Sequence, residues 1–235
     1  MKPSLVLIPT TLGELDTVDK VLPNYNLEVT HKIRVFIVEQ IRTARRFLRK
    51  INHPVAIDNM IFYELNKHTD QNQIHKYLKA IKEGESVGLI SEAGTPCVAD
   101  PGSAIVKIAH QEDIDIIPLV GPNSILLALM ASGFNGQNFA FHGYLPVDKS
   151  ERARNITQLE SNVVKLKQTQ IFIETPYRNM QIFETILKTC NNSTLLCVAS
   201  SISLEDQYIK TKSIQQWKKE KVDLHKKPTI FLLYK

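Results

Sequence analysis

Short apolar runs alternate with helical stretches along the 235-residue chain. In its first half, strands are predicted at residues 5–8, 34–38, 61–63, 86–91 and 115–119, with helices at 40–49, 71–82 and 104–112. An apolar run of four to six residues suits a strand that is buried on both faces. Alternation of such strands with helices is typical of a mostly parallel sheet covered by helices, so the predicted fold class is α/β.

The second half repeats the alternation after a Gly-Pro turn. Helices are predicted at residues 123–132, 148–167, 180–189 and 213–219, and strands at 139–144, 170–174, 194–199 and 229–234. The turn at 118–122 is the best candidate for a boundary. We therefore expect two α/β lobes, residues 1–120 and residues 121–235.

Composition narrows the class of protein. Apolar residues make up 43% and charged residues 23%, which is typical of a globular protein with a sizeable core. The 29 basic and 24 acidic residues leave a net charge of +5, which permits an anionic partner such as RNA without requiring one. No apolar run approaches the roughly 20 residues that span a bilayer. Three cysteines without CxxC spacing fit a reducing cytoplasm, and the scattered histidines predict no metal site.

The densest motif lies between a predicted strand and a predicted helix and has the sequence Ser-Glu-Ala-Gly-Thr-Pro-Cys-Val-Ala-Asp-Pro-Gly, residues 91–102. In open parallel sheets, ligands bind just beyond the carboxyl ends of the strands. Gly94 allows the backbone to approach a ligand closely, while Glu92 and Asp100 favour a cationic ligand over a phosphate. We expect a ligand-binding loop here; the alternative is a tight connection that binds nothing.

Two further strand ends lead into helices. At residues 118–124 a Gly-Pro turn opens a helix, and Ser124 either caps that helix or contacts a ligand. At residues 172–178, Glu174 and Arg178 leave the sheet together. They either hold a substrate or form an ion pair with each other.

A basic helical face follows the strand at 34–38. It contains Arg42, Arg45, Arg46 and Arg49. Residues at this spacing share one broad face of a helix, and such a face favours an anionic backbone. The alternative is a solvated face with Glu39 as its local partner.

In this order, the motifs resemble those of the tetrapyrrole methylase superfamily of S-adenosylmethionine-dependent methyltransferases. The family's Ser-Asp-Ala-Gly-Thr-Pro matches residues 91–96, with Glu92 in place of Asp, and its Asp-Pro-Gly matches 100–102. Its Pro-Gly-Pro-Ser-Ala, Phe-x-Gly-Phe-Leu-Pro and Glu-Ser-Pro-His-Arg motifs match residues 120–124, 141–146 and 174–178. The matching branch methylates a cytidine ribose 2'-oxygen in small-subunit ribosomal RNA.

The resemblance implies two α/β lobes, with S-adenosyl-L-methionine in the cleft between them. The predicted donor contacts are Glu92, Ala93, Gly94, Thr95, Asp100, Gly121, Pro122, Ser124 and Thr175. The family also implies a homodimer, ribosomal RNA as the partner, and neither a membrane nor a metal. A cytoplasmic location is expected.

Strand-end geometry predicts the catalytic residues. Glu39 and Arg42 follow one strand, and Glu174 and Arg178 follow another, at the sheet edge expected for ligands. A hydroxyl acceptor must lose a proton during methyl transfer, and Glu39, His68 and Glu174 are the candidate bases. Spacing alone does not choose among them.

The chain departs from the matching branch near its N-terminus. Residues 8–16 lack the branch's Gly-Asn pair, Gln40 replaces the Asp of Glu-Asp-Thr-Arg, and Asn-Lys-His-Thr at 66–69 replaces Asn-Glu-His-Asn. Two alternatives therefore stay open. One is a methyltransferase acting on a tetrapyrrole-like or other small molecule, and the other is a donor-binding protein that has lost catalysis.

Overall fold

The structure is a computed structural model that describes residues 2–66, 68–70 and 73–235. The chain divides into two compact units, Met1–Asn123 (the first unit) and Ser124–Lys235 (the second unit). The boundary between the lobes was predicted after residue 120, in the turn just before the boundary that the two units have after Asn123. Lys67 of the 66–69 motif, and Gln71 and Asn72 at the start of the helix predicted at 71–82, lie outside the described residues.

The first unit contains a parallel sheet with helices between its strands. Its elements are β1 (Leu5–Ile8), α1 (Val18–Val21), α2 (Asn24–Thr30), β2 (Val35–Val38), α3 (Ile41–Lys50), β3 (Ile61–Glu64), α4 (Lys79–Lys82), β4 (Val87–Ile90), α5 (Ser103–Gln111) and β5 (Ile116–Pro118). The described strands form the order β3-β2-β4-β1-β5, and every pair is parallel. The predicted α/β class is confirmed.

The three central strands of the first unit, β1, β2 and β4, are buried on both faces of the sheet. Ile8 and Phe36 belong to the apolar core on one face, whereas Leu5 and Ile37 belong to the core on the other. Because successive side chains of a strand point to opposite faces, a parallel strand between two helical layers must be apolar throughout. This is why the central strands of the first unit are visible in the sequence as short continuous apolar runs.

The second unit contains a mixed sheet. Its elements are α6 (Ser124–Ser132), β6 (Phe139–Tyr144), α7 (Lys149–Leu166), β7 (Thr169–Ile173), α8 (Asn179–Thr189), β8 (Leu195–Ser200), β9 (Tyr208–Ser213), α9 (Ile214–Trp217) and β10 (Thr229–Tyr234). The order is β6-β7-β10-β8-β9. Only β6 and β7 pair in parallel among these described strands, and the other pairs are antiparallel.

The second sheet is therefore mixed, unlike the parallel sheet of the first unit. No helix separates β8 from β9, and neighbouring strands joined by so short a connection run antiparallel because a parallel return needs a crossover. β9 was not predicted because its sequence, Tyr-Ile-Lys-Thr-Lys-Ser, is polar. It lies at the edge of the sheet, where no apolar run is needed.

Several helices differ from their predicted form. The described part of the 71–82 segment is a 3-10 helix, Ile74–Leu78, continued by α4. The spacing of this segment predicts that Ile74, Tyr77, Leu78 and Ile81 face inward. Ile74, Leu78 and Ile81 are buried, whereas Tyr77 is only half-buried. α1 and α2 were not predicted. Among the described residues, no helix combines the length and the apolar character that crossing a bilayer requires.

We expect Gly88→Val to destabilise the first unit. A Cβ at Gly88 of β4 would lie 2.7 Å from Ile8 Cδ1 and 2.9 Å from Phe36 Cδ1. Overpacking of this kind costs roughly 1–3 kcal/mol. The denaturation midpoint should fall for Gly88→Val and stay close to wild type for Gly136→Val, since a Cβ at Gly136 meets nothing within 4 Å. Equal midpoints for the two variants would contradict the close packing.

Candidate active site

The strand order of the first unit creates a crevice between β2 and β4. β2 leads through α3 to β3 on one side, while β4 leads through α5 to β5 on the other. The two connections leave in opposite directions, and open α/β sheets bind ligands where this happens. Glu39 follows β2 and Glu92 follows β4, so both flank the crevice at its carboxyl edge.

Glu92 bridges this crevice by capping α3. One of its carboxylate oxygens accepts hydrogen bonds from the Gln40 backbone N–H at 3.1 Å and from the Thr43 hydroxyl at 2.7 Å. The side chain of Gln40, at the N-cap of α3, makes no capping hydrogen bond itself. A carboxylate at a helix N-terminus satisfies a free N–H and is favoured by the helix dipole. Glu92 therefore ties the loop after β4 to the helix after β2.

Hydrogen bonds also tie the loop after β4 to the end of β1. The Thr10 N–H donates to the Gly94 carbonyl at 3.0 Å, and the Gly94 N–H donates to the Thr11 carbonyl at 3.1 Å. The Thr10 hydroxyl donates to the Ser91 carbonyl at 3.2 Å, and the Ser91 hydroxyl donates to the Gly94 carbonyl. These bonds continue the pairing of β1 with β4 beyond the sheet, so the first part of the loop is held against the end of β1.

Two glycines allow the loops at this edge to approach each other. Gly94 has a φ of +68°, and a Cβ on it would lie 2.8 Å from the Pro122 carbonyl oxygen. A Cβ on Gly121 would lie 2.2 Å from Pro9 Cβ. The Asn123 side-chain amide donates to the Thr95 hydroxyl at 2.7 Å. The ends of β1, β4 and β5 therefore converge on the predicted donor residues of the first unit.

Asp100 organises the second half of the 91–102 segment. One of its carboxylate oxygens accepts from the Gly102 N–H at 2.6 Å and from the Cys97 N–H at 3.2 Å. Cys97 and Ala99 both have left-handed backbones, with φ of 68° and 58°. Burial, with a smaller contribution from the charge of Asp100, raises the pKa of the Cys97 thiol to about 11. Cys97 is therefore a neutral thiol rather than a nucleophile near neutral pH.

Negative charge accumulates at this edge of the sheet. Burial raises the pKa of Glu39 above its usual value, and the charges of Glu92 and Asp100 raise it further. Three carboxylates near one edge of the sheet favour a cationic ligand. In the part of the chain that the structure describes, no group of His, Cys, Asp and Glu side chains could hold a metal ion.

The second pair of predicted catalytic residues forms an ion pair, one of the two alternatives expected from the sequence. Arg178 Nη2 lies 2.6 Å from the Glu174 carboxylate, which also accepts from the Thr175 N–H at 2.6 Å. Thr175 in turn accepts a hydrogen bond from Arg178 Nε at 3.3 Å. Glu174 is buried, and its Oε2 has no hydrogen-bond partner among the described residues. Ser124, the remaining predicted residue of the second unit, is the first residue of α6.

Sequence reasoning missed the residues that support the loop. Thr10, Thr43, Ser91 and Asn123 bond to it or belong to it, but none stood among the predicted site residues. Thr10 and Ser91 follow β1 and β4, and the pairing of these strands brings them together. The strand order that reveals this is not a local property of the sequence.

The predicted arginine face of α3 is solvent-exposed. Arg42, Arg45, Arg46 and Arg49 are all exposed, and their helix packs through Ala44, Phe47 and Leu48. None of the four arginines forms a salt bridge with an acidic residue of the described chain. The Arg45 guanidinium lies 5.4 Å from the centre of the Phe62 ring. The face is therefore a cluster of uncompensated positive charge, and Glu39 is not its ion-pair partner.

We expect Glu92→Gln to lower the pKa of Glu39, because it removes one of the negative charges that raise it. Because folding raises the pKa of Glu39, this carboxyl contributes stability that is complete below its pKa in the unfolded chain. The contribution is lost as the pH rises through its pKa in the folded protein. The loss of stability with rising pH should thus become smaller in the variant. Carboxyl carbon NMR titration of Glu39 measures the pKa, with Glu85→Gln as the control. An unchanged Glu39 titration would contradict the coupling.

Relatives of this chain are found among ribosomal RNA methyltransferases. The "Ribosomal RNA small subunit methyltransferase I" of Buchnera aphidicola subsp. Schizaphis graminum is 29% identical over 233 residues, which cover 97% of this chain and 77% of the relative. The protein of the same name from Campylobacter fetus subsp. fetus is 32% identical over 184 residues, covering 77% of this chain and 65% of the relative.

A structural comparison and a family model both relate this chain to methyltransferases. The crystal structure of the methyltransferase CobJ matches 99% of this chain and 94% of its own with a TM-score of 0.64, at 15% sequence identity. A likeness at this identity concerns the fold alone. The model of the Tetrapyrrole (Corrin/Porphyrin) Methylases matches residues 15–217, most of both units. The chain therefore belongs to the tetrapyrrole methylase family of methyltransferases.

Proposed function

We propose that this methyltransferase uses S-adenosyl-L-methionine to methylate a ribose 2'-hydroxyl of small-subunit ribosomal RNA. The observation on which the proposal rests is the loop after β4, which is tied to the ends of β1 and β5 and to α3 and is lined by carboxylates. The names of the relatives point to small-subunit ribosomal RNA as the acceptor. The uncompensated arginine face of α3 supports a polyanionic acceptor.

The chemistry of the loop suits the methyl donor. S-adenosylmethionine contains a sulfonium and an ammonium group, and the carboxylates of Glu39, Glu92 and Asp100 favour such a cation. Gly94 and Gly121 leave no room for a side chain, because a Cβ on either would collide with Pro122 or Pro9, so the loops that would hold the donor pack closely against each other. The proposed contacts from the first unit are Glu92, Ala93, Gly94, Thr95, Asp100, Gly121 and Pro122. Ser124 and Thr175 of the second unit remain proposed donor contacts.

The proposed reaction is an in-line displacement. The bond between the methyl carbon and sulfur breaks as the bond from the ribose 2'-oxygen to that carbon forms, and the sulfur leaves as a neutral thioether. Alignment of the two substrates supplies much of the catalysis. The hydroxyl proton passes to a carboxylate, for which we propose Glu39. Its raised pKa makes it a stronger base than an ordinary carboxylate.

Glu174 is less suited than Glu39 to accept the proton. One of its oxygens is already engaged by Arg178 and by the Thr175 N–H. We propose that Glu174 and Arg178 position the acceptor. Arg178 is half-buried and lies beside Glu174. Arg42, in the first turn of α3, is proposed to hold a phosphate next to the reacting ribose.

Two properties follow from the proposal rather than from the geometry. An enzyme acting on small-subunit ribosomal RNA works in the cytoplasm. The family resemblance further implies a homodimer. Both are part of the proposed function.

We expect Glu39→Gln to lower the rate of methyl transfer by roughly 10²–10⁴-fold, the usual contribution of a general base. The measurement is incorporation of labelled methyl groups into unmodified small-subunit RNA, followed by mapping of the labelled nucleotide. Glu64→Gln is the matched control, because Glu64 is exposed at the end of β3, on the same edge of the sheet. Donor binding, measured by calorimetry, shows whether each variant retains its loop.

The outcomes separate the parts of the proposal. Transfer to a small molecule instead of RNA would contradict the substrate, whereas donor binding without any transfer would contradict catalysis. An active wild type matched by Glu39→Gln would contradict the assignment of the base. Wild-type protein that binds neither donor nor product would contradict the donor site.

The arginine face yields a separate prediction. We expect Arg45→Gln, Arg46→Gln and Arg49→Gln together to weaken RNA binding. The dependence of binding on salt should flatten by about 0.7 in log–log slope for each phosphate that the face no longer neutralises. Donor binding should not change. The matched control replaces Lys20, Lys76 and Lys107, which are exposed elsewhere on the first unit. If both triple variants show the same fall in affinity and slope, the face contributes only general charge.

A further inference from the structure

The second unit has an open cavity of about 410 Å³ between α7 and α8. Its lining comes from Val147, from the first turns of α7 and from one side of α8 between Gln181 and Thr189. The residues that give it its chemistry are Lys149, Arg152, Glu184, Thr185 and Lys188. All of them belong to the second unit, and none is among the residues assigned to methyl transfer.

Arg152 is the unusual member of this group because it is a buried cation. Its relative exposure is 5%, whereas arginine is almost never buried without a partner of opposite charge. Its Nη1 donates to the Val147 carbonyl at 3.1 Å, and its Nε donates to the Thr185 hydroxyl at 3.4 Å. Both acceptors are neutral. Arg152 forms no salt bridge within the described chain.

The carboxylates nearest to the cavity are engaged elsewhere. Asp148 caps α7 by accepting from the Ser150 and Glu151 N–H groups at 2.9 Å, and the charge of Arg152 acts on it only through space. Glu184 lies 3.7 Å from Lys188 and forms an ion pair with it. With Lys149 and Arg152, the lining is left with a positive excess.

A buried charge without an ionic partner is costly, and an anion in the cavity would offset that cost. The guanidinium offers a planar set of donors that matches phosphate oxygens, and lysines at the rim add charge to the same ligand. The cavity volume is within the range of small-ligand sites, so it can accept a phosphate with part of the attached nucleoside.

We propose that the cavity between α7 and α8 binds a phosphate group, and that its source is the backbone of the RNA acceptor. This inference rests on the proposed function for the source of the phosphate. It adds an RNA contact on the second unit to the one proposed for α3. Free phosphate or a mononucleotide shares the same chemistry and is distinguished by the test.

The test uses the full chain with Lys149→Ala and Lys188→Ala combined, because both lysines are exposed and their removal should leave the fold intact. The matched control combines Lys165→Ala, on α7 outside the cavity, with Lys218→Ala. RNA binding is measured by fluorescence anisotropy over a range of salt concentrations. The cavity variant should bind several-fold more weakly than the control. Its log–log salt slope should be smaller by about 0.7 for each phosphate that the cavity no longer neutralises.

A second pair of variants addresses the buried charge itself. Arg152→Gln should lower RNA affinity, whereas Arg154→Gln, an exposed arginine on the same helix, should not. Circular dichroism checks that Arg152→Gln is folded. If it is not, the double lysine variant alone decides.

A thermal-shift arm with inorganic phosphate against chloride, at matched ionic strength, identifies the source. RNA affinity that falls in the cavity variants and not in the controls supports the inference. If RNA affinity is unchanged in the cavity variants but phosphate stabilises wild type and not those variants, the cavity binds free phosphate and not the RNA backbone. If the cavity variants match wild type both in RNA affinity and in stabilisation by phosphate, the cavity is not a phosphate site. Wild type that binds no RNA contradicts the proposed function instead, and the phosphate arm still decides the cavity.

Discussion

The geometry of the candidate site depends on a reciprocal pair of backbone hydrogen bonds between the end of β1 and the loop after β4. Thr10 donates to Gly94, and Gly94 donates to Thr11, so two strands that are paired in the sheet stay paired after it ends. Gly94 can take part because its backbone is left-handed and its missing Cβ leaves room for the Pro122 carbonyl. With the loop held there, Glu92 reaches α3 and Asp100 folds the chain toward α5.

Charge is distributed unevenly in this chain. The protein as a whole has a net charge of +5, yet the loop edge of the first sheet collects Glu39, Glu92 and Asp100. On α3 the same unit presents arginines without ion-pair partners among the described residues. The proposed methyl donor has a sulfonium and the proposed RNA acceptor has phosphates, so the two need opposite local charges at different positions on the chain. Both kinds of charge meet at α3, where the carboxylate of Glu92 caps the N-terminus and the exposed face is basic.

The parts of the fold that sequence could predict are those in which burial dictates composition. β1, β2 and β4 are buried on both faces, so each had to be a continuous apolar run. β9 escapes this rule because it is a polar edge strand, and with it the antiparallel character of the second sheet was missed. The 91–102 loop was predicted as a site from its composition. Its contacts with Thr10 and Asn123 were not, since they depend on which strands are neighbours and not on any local pattern.

Arg152 differs from the two other buried charged residues of the second unit, Glu160 and Glu174, in how its charge is compensated. Glu160 accepts from the Asn191 N–H and side-chain amide and from the Thr194 hydroxyl, so it fixes the turn between α8 and β8. Glu174 is neutralised by Arg178. A buried charge that is paired or fully hydrogen-bonded has a structural explanation in the contacts themselves. Arg152 meets only two neutral acceptors and faces a cavity edged by lysines. Packing alone therefore does not account for it, whereas an anion supplied from outside the chain would.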